Sequence, residues 1–168
     1  MLDVLKENLW KQFGGSIDML KNAIAFCEDD YWNANKKLFY HAYHCLIFLD
    51  YYLTIPPTNF SSLLPFTITA PEDLPDGAID DVMPNRIYSR EELLDYLQSC
   101  RNKCHQVIAD LTEEKLNERW IEEEGNRNYP FLELLLYNMR HVQHHAAQLN
   151  LLLRQGINDA PKWVRRAT

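Results

Sequence analysis

Residues 54–88, TIPPTNFSSLLPFTITAPEDLPDGAIDDVMPNRIY, hold six of the eight prolines in the chain. Proline lacks the amide proton a helix needs, and its ring collides with the preceding turn, so no helix passes through this stretch. A link of about 35 residues is several times the usual length between elements, so it is functional or it crosses between distant ends of the fold. Phe60, Leu63, Leu64, Phe66 and Ile68 predict that it packs against the body of the protein.

Helical periodicity flanks this stretch on both sides. In the first segment, about Leu2 to Cys27, Leu2, Leu5, Leu9, Phe13, Ile17, Leu20, Ile24 and Cys27 recur every three or four residues and form one apolar stripe. Gly14 and Gly15 interrupt it and allow either close packing or a bend. The second segment, about Asn33 to Leu53, is apolar on nearly every side after Lys37, which places it centrally or against a partner chain. Ser89 followed by Glu92 is a capping box that starts a third helix, reaching about Ala109. Thr112 caps a short helix through Arg119, and the acidic run EEEG at 122–125 reads as a solvated turn. Pro130 suits the first position of a last helix that runs to Gln155, with Gly156 as its stop.

No strand-like alternation competes with these segments. They predict an all-α four-helix bundle, a single domain over residues 1–168. The long proline-rich crossover of 54–88 lies between the second and third helices, which lets those two run parallel, in the order up, down, down, up.

Composition narrows function. Twenty-four acidic against seventeen basic residues give a net charge of −7, which argues against nucleic-acid binding. No apolar run is long enough to span a bilayer, and MLDVLKENLWKQF does not read as a secretory signal, so no membrane is expected and the cytoplasm is the expected location. There Cys27, Cys45, Cys100 and Cys104 are expected as reduced thiols; they contain no CxxC pair and read as small buried residues. Cys100, Cys104 and His105 could share a metal only in cramped geometry.

The segment RHVQHHAAQL, residues 140–149, places three histidines in five positions of the last helix. At about 100° per residue, Phe131, Leu134, Leu135, Val142, Leu149, Leu152 and Leu153 share one arc, and Glu133, Arg140, Gln143, Asn150 and Arg154 share the opposite one. His141, His145 and Asn138 fall in the apolar arc, and His144 lies at its boundary. Two imidazoles four residues apart can converge on one cation, as in the helical HxxxH ligand pair. A third ligand has to come from another helix. His44, at the middle of the second segment and on a face with Tyr40, Ile47, Phe48 and Tyr51, is the first candidate; His41 is the reserve, and His105 sits in polar surroundings. Histidines in a core are also found merely hydrogen-bonded, but unpaired buried imidazole nitrogens cost on the order of 1–3 kcal/mol each, and a cation would relieve several together.

YHAYHCLIFLDYYL and YNMRHVQHHAAQLNLLLR, together with the glycine-interrupted first helix, resemble the DinB/YfiT-like superfamily. The resemblance implies a four-helix bundle that binds a divalent metal, zinc or nickel, through His44, His141 and His145, in a chain that forms a homodimer. It also implies either a metal-dependent hydrolase or a transferase that uses a low-molecular-weight thiol on a small-molecule substrate. Many members carry HHRGQ where this chain has HHAAQ, so Ala146 and Ala147 replace an arginine and a glycine.

Three neutral imidazoles leave a cation its full double charge and open positions, which would acidify a bound water or thiol. Hydrolysis also needs a general base. Asp50 lies off the His44 face and Glu133 points to solvent, leaving the acids of the long connection, Glu72, Asp73, Asp76, Asp80 and Asp81, as the source of one. Tyr40, Tyr51, Tyr137 and Gln148 are candidates to line the pocket, and Asn138 could orient an imidazole. The alternative is a non-enzymatic metal-binding or dimeric interaction protein with a degenerate site. Phe39 and Leu46, on the side of the second helix away from His44, would suit a partner surface.

Overall fold

A computed structural model of the chain describes residues 1–122 and 125–168. The chain is mostly helical: α1 (Leu2–Phe26), α2 (Asp29–Ala34), α3 (Lys36–Tyr52), α4 (Arg90–Ala109), α5 (Glu113–Asn117) and α6 (Phe131–Ile157). Helix α1 packs against α4 and α6, and α3 packs against the same two. Phe13, Ile17 and Leu20 of α1, Leu46 and Leu49 of α3, Leu93 and Leu97 of α4, and Leu135, Val142 and Leu149 of α6 are buried in their shared core. The capping box of α4 is complete: the Glu92 amide donates to Ser89 Oγ, and the Ser89 amide donates to the Glu92 carboxylate.

The second apolar segment is two helices rather than one. Asn35 leaves the helical region at φ −118° and ψ 85°, and its amide closes the end of α2 on the Tyr31 and Trp32 carbonyls. Asparagine favours such ends because its short polar side chain competes for backbone partners. The surface that suggested a partner chain is covered within the monomer, since Phe39 is 2% and Leu46 0% exposed. Phe39 stacks on Tyr43, which stacks on Tyr88 and donates its hydroxyl proton to the Pro65 carbonyl at 3.0 Å. The long connection therefore takes up part of the apolar surface of α3.

Four short strands were not foreseen. β1 (Phe66–Ile68) pairs antiparallel with β2 (Val82–Pro84), with Phe66 opposite Pro84; β3 (Arg119–Ile121) pairs with β4 (Asn128–Pro130), with Arg119 opposite Pro130. Three residues are too few for alternation to show in a sequence. Their formation shifts two expected boundaries: α5 ends at Asn117, because Arg119 opens β3, and Pro130 ends β4 so that α6 begins at Phe131. Glu123 and Glu124 of the acidic run lie outside the described residues. Glu122 does not project freely into solvent; it accepts from Tyr51 and Arg127.

Helix α6 continues through Gly156 and stops at Asn158, which adopts the left-handed conformation at φ 56°. Gly156 serves packing, because a Cβ there would lie 1.6 Å from the Tyr31 hydroxyl. Gly14 and Gly15 leave α1 unbroken and admit the C-terminal segment. A Cβ on Gly15 would approach Arg166 Cα to 3.2 Å, and the Ala167 amide donates to the Lys11 carbonyl beside it at 2.8 Å.

The long connection is also tied in through polar groups. Ser62 donates to the Tyr96 hydroxyl, which donates to buried Asp50 at 2.7 Å; Lys103 closes the network on Asp50 at 2.5 Å and on Thr54 at 2.6 Å. All four cysteines are buried and unbridged. Burial pushes the Cys100 and Cys104 thiols up, away from the thiolate a metal would need, and His105 packs against the Trp10 ring instead. None of the described helices is long and apolar enough to cross a membrane.

Candidate metal centre

The packing of α3 against α6 brings together histidines separated by about a hundred positions in sequence. His44 Nε2 and His141 Nε2 lie 3.2 Å apart. The His145 ring centroid is 4.6 Å from those of both His44 and His141. One ligand atom from each of the three lies within 4.8 Å of one from each of the others. His41, one turn earlier on α3, has its ring 5.8 Å from His145 but stands outside this group, so His44 completes the trio.

The electrostatics suit a cation. Burial, followed by repulsion from the neighbouring histidines, lowers the pKa of His141 to about 4 and that of His145 to about 2. Both rings are therefore neutral near pH 7, with a lone pair to offer. The Nδ1 atoms of His44, His141 and His145 are buried without a hydrogen-bond partner. Two imidazole nitrogens bound to one tetrahedral zinc at about 2.0–2.1 Å stand roughly 3.3 Å apart, which the His44–His141 spacing matches. The widest pair, within 4.8 Å, needs to close by up to about 1.5 Å to reach the same ion. The three residues fit a divalent cation on donor type and spacing, and the neutral rings of His141 and His145 suit it as well.

The long connection supplies an acid. Asp80 Oδ2 comes within 2.9 Å of His44 Nδ1, on the opposite side of the ring from the Nε2 that faces His141. The approach is close but not aligned as a formed hydrogen bond, since His44 Nδ1 counts among the unpartnered atoms. A carboxylate at the outer nitrogen of a ligating histidine sets its tautomer and orientation. Asp80 is in position for that role on the far side of His44, rather than for a base beside the three converging nitrogens. The sequence named it among five acids and could not choose, because the reach of a proline-rich segment depends on how it folds back.

Most of the other candidates are dispersed. Asn138 does not orient an imidazole: its side-chain amide donates to the Leu49 carbonyl at 3.0 Å, tying α6 to α3 one turn below His141. Tyr51 donates to Glu122 at 3.2 Å. Tyr137 is exposed, stacked on Tyr129 with its edge to Tyr52, and as expected it lines a surface hollow together with His141 and His144. Tyr40 is buried beside Phe39 at a separate hollow with Thr67, Thr69 and Arg86. Gln148 is half-buried with an unpartnered Oε1. Phe48 was named only as sharing the face of His44 and not as a site residue, yet its ring lies 4.8 Å from His44 and 6.0 Å from His141. Its place one turn after His44 was the available signal.

A family model described as the DinB superfamily matches residues 32–149, a span that includes both histidine segments and the whole connection between them. Neither a curated protein nor a solved structure matches the chain. With the match covering more than half of its length, the chain belongs to the DinB superfamily.

Proposed function

We propose that the chain holds a divalent cation, zinc or nickel, through His44, His141 and His145 and acts as a metal-dependent hydrolase or thiol-dependent transferase on a small molecule. The observation that carries this reading is the convergence of three histidines, His145 buried and His44 and His141 half-buried, on one point, with His141 and His145 neutral at pH 7. Such a cation, when bound, polarises a carbonyl oxygen or acidifies a water or thiol. The residues of the chain do the rest. Asp80 stands behind the His44 ring, where it would set the tautomer of a ligating imidazole, and Phe48 packs against the pair His44 and His141.

The finer architecture belongs to the same reading: four long helices in the order up, down, down, up, with the connection at 54–88 as the crossover. So does a homodimer in the cytoplasm. Since Phe39 and Leu46 are internal, the dimer rests on the family resemblance alone, and sedimentation at micromolar concentration tests it: a single monomer mass rejects it.

Metal analysis of untagged protein, followed by turnover assays with esters, amides and thiol acceptors, tests the function. One equivalent of zinc or nickel with metal-dependent turnover supports it. A stoichiometric metal with no turnover across the panel points instead to a non-enzymatic binding protein.

A further inference from the structure

A concave site lies beside Phe48, the neighbour of His44. A cavity of about 280 Å³ opens beside α3, walled by Phe48, Tyr51, Phe60, Phe66 and Val82. Phe48 is common to both places: its ring lies 4.8 Å from that of His44, and it lines this cavity. Val82 lies two residues beyond Asp80, so the segment that reaches His44 also builds a cavity wall. The rings are locked against each other: Tyr51 meets Phe60 edge-on at 5.2 Å and Trp120 at 5.2 Å, and Phe60 stacks on Phe66 at 6.1 Å. A wall of interlocked rings is pre-formed, so filling it costs little reordering.

The charged groups of the wall cancel. Arg127 donates to Glu122 at 3.1 Å, and Tyr51 donates to the same carboxylate oxygen at 3.2 Å. A carboxylate on the ligand would face Glu122 and would have to displace it from Arg127, whereas an ammonium would face Arg127. An uncharged group meets neither conflict. The volume exceeds the roughly 150 Å³ that holds benzene and falls near the lower bound of about 300 Å³ for whole-ligand pockets. It suits one substituted ring and is too small for a large substrate.

We infer that this cavity is the specificity pocket of the centre at His44, His141 and His145, and that it receives an uncharged aromatic or comparably bulky apolar group of the small-molecule substrate. The inference rests on the function proposed above for its chemistry, but the pocket can be tested without metal. Binding of 4-fluorophenylacetamide to metal-free protein, followed by fluorine NMR, should saturate in the millimolar range or tighter. Val82→Trp, which fills the cavity, should weaken it at least tenfold; Phe66→Ala, at a half-exposed wall position, should weaken it several-fold with the fold retained by circular dichroism. The 4-carboxyphenyl analogue should bind at least tenfold more weakly to the wild type and recover in Glu122→Gln, which frees Arg127. Absence of binding to the wild type, or binding indifferent to both wall substitutions, overturns the pocket whether or not the protein holds zinc. With zinc loaded, 3-phenylpropionohydroxamate should bind at least tenfold more tightly than acetohydroxamate. If zinc is never held but the amide still binds at the cavity, the metal reading fails and the pocket stands.

Discussion

His145 is the residue on which the centre turns. It is 5% exposed, its ring touches those of His41, His44, His141 and His144, and burial and those neighbours hold its pKa near 2. His145→Ala should abolish stoichiometric zinc or nickel binding, with unchanged helicity by circular dichroism; retained metal would remove this residue from the ligand set. Asp80→Asn keeps the shape but removes the charge behind His44, so zinc affinity should fall about 10- to 100-fold in a competitive chelator titration. The depressed histidines also give a pH dependence with a definite sign. The folded pKa values of His141 and His145 lie below the unfolded value of about 6.5, so in this window the unfolded chain binds more protons. Stability is fully present above about pH 6.5 and is lost progressively as pH falls toward 4 and below. Thermal melts of metal-free protein from pH 7 to 4.5 should therefore show a falling Tm, and His145→Phe should flatten the slope.

At the scale of elements, the long connection is held by polar groups as much as by apolar ones. Asp50 of α3 accepts from Tyr96 and Lys103 of α4, and Ser62 of the connection joins through the Tyr96 hydroxyl. Asp50 is 7% exposed, so Asp50→Ala strands a buried hydroxyl and an ammonium that is about two-thirds covered. The expected loss is on the order of 2–4 kcal/mol in urea unfolding, discounted for the solvent that reaches Lys103. Unchanged stability would show that the network contributes nothing net. Gly156 makes a second case. In a helix interior, glycine to alanine ordinarily gains about 1 kcal/mol, but here the added methyl would overlap the Tyr31 hydroxyl. Gly156→Ala should therefore destabilise, by about 1–3 kcal/mol as overpacking does.

For the whole molecule, a bound cation would link metal and fold, because the three histidines that could hold it come from α3 and α6, about a hundred residues apart in sequence. A ligand that binds only the folded chain at a hundred times its Kd adds about 2.7 kcal/mol. For a chain of this size, each kcal/mol is worth about 2–4 °C, so saturating zinc or nickel should raise the Tm by roughly 5–10 °C. No shift with either metal would mean that the three histidines hold no cation.

What local patterning controls was legible in the sequence. The apolar stripes of α1 and α6, the Ser89–Glu92 box, the proline-rich break and the helical spacing of His141 and His145 are short-range features, each set by residues within a few turns of one another. The split at Asn35, the three-residue strands and the run of α6 through Gly156 escaped because each depends on a partner distant in sequence or on an element too short to show a period. The all-round apolar character of α3 was visible, but not whether a second chain or the connection covered it; folding brought Tyr43 and Phe39 under that connection. The site divides in the same way. Spacing alone made His141 and His145 a pair, whereas the reach of Asp80 to His44 and the placing of Phe48 beside both His44 and the apolar cavity were decided only when α3, α6 and the connection packed together, since side-chain convergence across elements is a property of packing and leaves no periodic trace in the chain.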